Sequence, residues 1–343
     1  MASTFKDLLR RVEEGTRREI RSFFEKARDR ARNGGCDTRI MESLARFVED
    51  GGKRLRPALG YAAFLGIRDP DDEADLFRAL SSLEILHAYL LVHDDIMDLA
   101  ETRRGRPALH VELGSAAGSR RVGEFLAILA GDLGSALCLE PLVDSRFSAD
   151  RRIRAVREIL KCHQWVVLGQ ELDLRKQGPA ERIMLHKTAS YTTIGPVRTG
   201  AALAGADDRT LDLLEAYARP LGIAFQIRDD ILSLFGDEKV VGKPVAADLL
   251  EGKLTLLVEG VKEAGSPSER DAVGKVLDQG LHDPEDIERA LEAIRSSGAL
   301  SRAEQRVGTL VQEARDALAL VPLRDQGRQL LLEAMDLLAF RQT

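Results

Sequence analysis

Apolar positions along this chain recur mostly at intervals of three and four residues, the spacing of one helix face. From Phe5 to Ala31, Leu8, Leu9, Val12, Ile20, Phe23, Phe24 and Ala27 stand among many charges, and Asn33-Gly34-Gly35 ends the run. Asp37-Thr38 opens a second helix with Ile40, Met41, Leu44 and Phe47 on one side, stopped at Gly51-Gly52. Asp69-Pro70-Asp71-Asp72 is a turn into a long helix from about Glu73 to Leu99. There Ile85, Leu86, Ala88, Tyr89, Leu90, Leu91 and Val92 run into His93-Asp94-Asp95-Ile96-Met97-Asp98, with only His87 interrupting. This pattern predicts a buried helix with a charged end, which is where a ligand would be held.

The same period continues beyond it. Phe125 to Leu142 is an apolar helix in which Asp132 is the one acid before Glu140. Asp150 to Lys176 places Gln170 and Asp173 on one face, and His163 and Trp165 are expected to pack in the core. Glu181 to Leu203 contains Gly195-Pro196, so a bend or interruption is expected near Pro196. Asp208 to Phe235 ends in Phe225-Gln226-Ile227-Arg228-Asp229-Asp230, a second acid pair in the last part of an apolar helix, with Gln226, Asp229, Asp230 and Ser233 on one face. After Leu254 the signals are structural: Ser266-Pro267 and Asp283-Pro284 read as helix starts, and Val307, Leu310, Val311, Ala314 and Leu318 mark an amphipathic helix. With no sustained β alternation and no flexible linker, the expected fold is all-α, a single domain over residues 1–343 with its acid-tipped helices side by side in a central bundle.

Composition narrows the function. The net charge of -6, from 50 basic and 56 acidic residues, argues against a generic nucleic-acid binder, so any phosphate binding must be local. Cys36, Cys138 and Cys162 share no metal-ligand spacing and suit a reducing compartment. The charged N-terminus lacks a signal-peptide core, and no window approaches an unbroken apolar membrane span. A cytoplasmic protein without stable membrane insertion is expected.

The candidate chemistry lies beside the acids. Asp94 and Asp98 are one helical turn apart, with Asp95 between them, and such a cluster needs Mg²⁺ or arginine and lysine to stabilise it. Gly51-Gly52-Lys53-Arg54-Leu55-Arg56-Pro57 and Glu101-Thr102-Arg103-Arg104-Gly105-Arg106-Pro107 are basic loops, and Gly242-Lys243-Pro244 and Glu251-Gly252-Lys253 add two lysines. Acids for metal and cations for phosphate describe a diphosphate site held in both ways. No nucleophilic Ser or Cys stands beside a His, which suggests that the diphosphate is a leaving group. An apolar helix wall beneath it would suit a hydrocarbon tail.

From about Gly51 to Leu257 the chain resembles the trans-isoprenyl diphosphate synthase (polyprenyl synthetase) family. The matching pieces are the Gly51–Pro57 loop, His87, Asp94-Asp95-Ile96-Met97-Asp98, Arg103-Arg104-Gly105, Gly131-Asp132, Gly169-Gln170 with Asp173, Lys187-Thr188, Phe225-Gln226 with Asp229-Asp230, and Gly242-Lys243-Pro244 with Lys253. The resemblance implies the isoprenoid synthase type of helical bundle, with a central active-site cavity. It implies that Lys53, Arg56, His87 and Arg104 bind isopentenyl diphosphate, and that Arg103, Lys187, Lys243 and Lys253 contact an allylic diphosphate. Asp94, Asp98 and Asp229 would ligate Mg²⁺, three ions per active site, with Asp95 and Asp230 in support. Thr188 and Gln226 would place oxygen dipoles near a developing cation. A homodimer is implied as well.

One position departs from the family pattern. Where the second acidic motif often carries a third acid, this chain has Ser233, which adds no charge; Asp237, one turn further, is placed to compensate. Tyr89 and Leu90 stand about 6 to 8 Å along the helix from Asp94, at roughly 1.5 Å per residue, and are candidates for the floor that stops product growth. An aromatic residue five before the motif resembles the geranylgeranyl diphosphate synthases. The alternatives are a farnesyl or longer-chain synthase, a class I terpene cyclase and a non-catalytic partner subunit.

Overall fold

The structure, a computed structural model, describes residues 4–236, 246–278 and 283–340. It is built almost wholly of helices, as the apolar period predicts, and divides into two compact units. The first comprises Met1–Leu160, Gly195–Leu211 and Leu323–Leu331; the second comprises Lys161–Ile194, Asp212–Pro322 and Leu332–Thr343.

The first unit contains α1 (Phe5–Asn33), α2 (Arg39–Glu49), α3 (Leu55–Ile67), α4 (Glu73–Met97), α5 (Leu109–Ala117), α6 (Arg120–Leu137) and α7 (Glu140–Val143). Its core forms around α4, whose Leu76, Leu80, Leu83, Ile85 and Leu86 are fully buried together with Leu8, Val12, Ile20 and Phe24 of α1. Asp72 caps α4 by accepting the Asp75 N–H. At the other end Asp98 is the capping residue and Leu99 is left-handed at φ 53°, while the Ala100 N–H closes on the Asp95 carbonyl at 2.9 Å. The helix therefore stops two residues short of the expected Leu99. A left-handed leucine costs about 1–2 kcal/mol, and it turns the chain back towards the second basic loop.

That loop is a small hairpin, β1 (Thr102–Arg103) and β2 (Arg106–Pro107). Arg104 and Gly105 both have positive φ, 55° and 73°, as a two-residue type I′ turn requires. The Arg-Arg-Gly sequence is thus a turn specification as well as a source of charge.

Among the described residues, Arg120–Val143 is the stretch long and apolar enough to cross a membrane by its mean hydropathy of 1.6. Within it, Ala127 and Ala130 of α6 pack against Val92, Leu109 and Leu113, while Val122, Phe125, Ile128 and Leu129 are exposed.

In the second unit the chain winds as α9 (Ala180–Ile183) and then as a wide π-helix over Met184–Ile194; α10 (Gly195–Ala204) follows and belongs to the first unit. The irregularity expected near Pro196 thus lies upstream of it. Pro196 stands where the π-helix passes without a break into α10; it has no N–H to give to the preceding turn, and its ring crowds the carbonyl there, which is why the irregularity falls on its upstream side. Helices α8 (Ala149–Leu174) and α11 (Asp208–Phe235) contribute residues to both units. Trp165 differs from its expected core position: it is 49% exposed, and its ring stacks on His186 at 4.7 Å. Towards the C-terminus, Pro267–Leu277 begins with a Ser266–Glu269 capping box. Ala299–Leu320 buries Val307, Leu310, Val311, Ala314 and Leu318, as its pattern predicts.

Candidate active site

The first unit gathers most of the predicted residues. Asp94 and Asp98 stand at the C-terminal end of α4, where the helix macrodipole is negative and carboxylates are unfavourable. Their position calls for an external positive charge. Asp95, between them, points inward and is completely buried. Its Oδ1 accepts from the Arg103 Nε at 2.7 Å and also from the Arg103 Nη2. Burial pushes the Asp95 carboxyl above its usual range, and the bonded Arg103 pulls it back. Arg103 is thereby held with its Nη2 3.8 Å from Asp94 Oδ2. Here Asp95 acts as the anchor of an arginine at the site.

Lys53 is exposed on the loop before α3, and Arg56 lies in the first turn of that helix. Arg104 stacks over the Phe47 ring at 5.9 Å and donates from Nη1 to the Asp50 carbonyl at 3.4 Å. His87 reaches the surface in part, while its Nδ1 is buried. Loss of solvent pushes the His87 pKa well below its ordinary value, and the positive charges of Arg56, Arg104, Arg103 and Arg54 push it further. At neutral pH it is an uncharged imidazole, a hydrogen-bonding group among cations.

This depression has a direct consequence for stability. A histidine whose folded pKa lies below its unfolded value contributes stability above the unfolded pKa, about 6.5, and loses it as pH falls towards the folded one. His163 and His186 are lowered by burial as well and share the effect. Melting temperatures taken from pH 7.5 down to 5.5 should therefore fall, and should fall less in His87→Gln. Identical slopes for the two proteins would remove His87 from the account.

The second unit holds the rest of the predicted set. Lys187 and Thr188 lie on the π-helix, a geometry frequent at functional sites. Lys187 Nζ donates to Asp173 Oδ2 at 2.5 Å. The Thr188 hydroxyl donates to Gln226 Oε1 at 2.7 Å, and the Gln226 amide donates to Asp230 Oδ1, also at 2.7 Å. Because Thr188 gives away its proton, its oxygen lone pairs remain available to a positive centre. Asp230 is only 4% exposed and fixes Gln226 in the orientation that accepts from Thr188. Asp229 is partly exposed on α11, and Ser233 is nearly buried. Lys253 pairs with Glu251 at 2.5 Å. Lys243 and Asp237 lie outside the described residues.

Comparison with known proteins identifies the family. A family model described as polyprenyl synthetase matches residues 37–294. The chain belongs to the polyprenyl synthetase family. A geranylfarnesyl diphosphate synthase from Aeropyrum pernix is 34% identical over 314 residues, covering 88% of this chain and 94% of that protein. A geranylgeranyl diphosphate synthase from Methanosarcina mazei is 32% identical over 302 residues, covering 86% of this chain and 87% of that one. Among solved structures, a geranylgeranyl pyrophosphate synthase from Corynebacterium glutamicum, complexed with isoprenyl diphosphate and magnesium, superposes with a TM-score of 0.88 at 31% identity. That likeness covers 96% of this chain and 98% of the other.

Polyprenyl synthetases use a divalent metal, and the donors in this chain fit Mg²⁺. With Asp95 engaged by Arg103, the end of α4 offers Asp94 and Asp98, both partly exposed. Among the described residues no three acidic, His or Cys side chains gather into a complete protein cage. One or two carboxylates completed by water and substrate phosphates is the way Mg²⁺ is commonly held. Sequence reasoning missed Glu84 on α4, which is 3% exposed and pairs with Arg54. The available signal was its place in Leu83-Glu84-Ile85: a lone acid in an apolar helix must find a buried partner.

Proposed function

We propose that this polyprenyl synthetase is a Mg²⁺-dependent trans-prenyltransferase that joins isopentenyl diphosphate to dimethylallyl, geranyl and farnesyl diphosphates and releases geranylgeranyl diphosphate. The observation that carries the reading is the pairing, within the first unit, of a neutral His87 set among arginines with the Asp94–Asp98 helix end. One recognises a diphosphate directly, and the other requires a cation. A terpene cyclase binds one diphosphate and has no need for the Lys53, Arg56 and His87 set.

Mg²⁺ held by Asp94, Asp98 and Asp229, three ions in all, would neutralise the leaving diphosphate. Arg103, Lys187, Lys243 and Lys253 bind that diphosphate, so its C–O bond breaks with both electrons departing on oxygen. Lone pairs on Thr188 and Gln226 face the allylic cation. Lys53, Arg56, His87 and Arg104 hold isopentenyl diphosphate while its double bond attacks that cation and forms the new C–C bond. The released diphosphate takes the proton that restores the alkene.

Both units belong to one synthase domain in this reading, which the span of the family match supports. The exposed Val122, Phe125, Ile128 and Leu129 on α6 support a homodimer. The net charge of -6 and the three free cysteines support a cytoplasmic location.

The test is incubation with Mg²⁺, isopentenyl diphosphate and each short allylic diphosphate, with products identified by mass spectrometry. A 20-carbon product is expected. A 15- or 25-carbon product would correct the chain length, and no condensation from any primer would overturn the whole reading.

A further inference from the structure

The middle cation of the first basic loop faces away from solvent. Arg54 is 2% exposed and left-handed at φ 50°, between an exposed Lys53 and the helix that carries Arg56. Its guanidinium serves acceptors on two elements. Nη1 donates to Glu84 Oε2 of α4 at 2.8 Å, while Nη2 donates to the carbonyls of Val48 and Glu49, at 2.7 and 3.0 Å, at the end of α2. A Cβ at Gly51 would lie 2.2 Å from Arg54 Nη1, so the glycine is what lets the loop close over the arginine.

Glu84 lies one turn before His87 on α4, and its charge also acts on Arg104, whose own Nη1 caps the Asp50 carbonyl next to the Arg54 acceptors. A planar guanidinium can donate to all three acceptors at once, and an ammonium on a flexible stem cannot hold that geometry. We infer that the buried Arg54–Glu84 pair is a positioning element for the isopentenyl diphosphate subsite: it fixes the Lys53–Arg56 loop, the end of α2 and the His87 turn of α4 in one register. Neither residue touches substrate. The allylic side has a separate anchor in Asp95–Arg103, so loosening the pair disturbs one substrate and spares the other.

This inference rests on the synthase reading, and the two fail differently. A wild-type protein that condenses nothing sinks the reading; an active wild type is the setting in which the pair is judged. Three variants are compared: Arg54→Lys, Glu84→Gln, and the double variant Arg54→Met with Glu84→Met. The double variant leaves no unpaired buried charge, although the Val48 and Glu49 carbonyls lose a donor, so it should melt closer to the wild type than Glu84→Gln, which strands the Arg54 charge. Misplacing binding groups by about 1 Å can cost up to about a hundredfold. The KM for isopentenyl diphosphate should therefore rise about tenfold or more in Arg54→Lys and in the double variant, and about threefold in Glu84→Gln, which keeps the acceptor oxygen. The KM for the allylic diphosphate should stay within about twofold in all three, because its anchor is untouched. Equal shifts in both KM values, an unchanged KM for isopentenyl diphosphate in any folded variant, or shifts that follow melting temperature alone would overturn the inference.

Discussion

Replacing Asp94 with alanine should lower Mg²⁺-dependent turnover by about a thousandfold, roughly 4 kcal/mol of barrier, the scale of losing one preorganised electrostatic group at a leaving oxyanion. Asp94 is the acid at the end of α4 that combines partial exposure with proximity to Arg103, at 3.8 Å. Asp95, by contrast, is consumed in the interior. Asp94→Asn should be nearly as damaging, because it keeps the shape and loses the charge. Stability should change far less. A carboxylate at a helix C-terminus opposes the macrodipole while its attraction to Arg103 works against that penalty, so without Mg²⁺ both variants should melt close to the wild type. That pairing separates lost chemistry from lost folding. Steady-state rates with and without Mg²⁺, taken with melting curves, check it, and near-normal turnover in Asp94→Ala would falsify the metal assignment.

The residues differ in how far the sequence revealed them. The α4 run was readable because an apolar helix that ends in three acids has to meet a positive charge there, and the amphipathic C-terminal helices were readable from their period alone. Asp95 shows the limit. Its spacing from Asp94 and Asp98 was visible, but its burial depends on α4 ending in a left-handed Leu99 that returns the hairpin and brings Arg103 beneath it. Arg54 shows the same limit: three cations in four residues look alike in sequence, and only the backbone turn decides that the middle one goes inside. Pro196 announced an irregularity, but its form, a π-helix under Lys187 and Thr188, was not readable, because wide winding is set by packing. Trp165 misled in the other direction, since a large aromatic residue is normally buried and here stacks on His186 at the surface. Periodicity reports which face is apolar; it does not report which long-range partner a buried charge will choose.

Replacing Tyr89 should change the product itself. Tyr89 is 3% exposed, and its ring meets the His93 ring edge-on at 5.9 Å. On the α6 side, a Cβ at Gly134 would fall 2.7 Å from the Tyr89 Cβ, so the glycine admits the tyrosine and leaves it little room to swing away. A confined aromatic ring makes a firm floor. Each added isoprene unit carries five carbons, and burying them is worth about 4 kcal/mol at roughly 0.8 kcal/mol per carbon, so a growing tail will enter any dry space that opens. Tyr89→Ala opens such space, at an expected cost of about 3–5 kcal/mol in stability as for other large aromatic truncations. Tyr89→Leu opens less and should cost less. Products should lengthen by one or more five-carbon units in Tyr89→Ala and to a smaller extent in Tyr89→Leu, with Leu90→Ala as the comparison on the neighbouring face. Mass spectrometry of the product mixture decides it: the same chain length from a folded Tyr89→Ala would show that the depth of the pocket is set elsewhere, and that Tyr89 only packs α4 against α6.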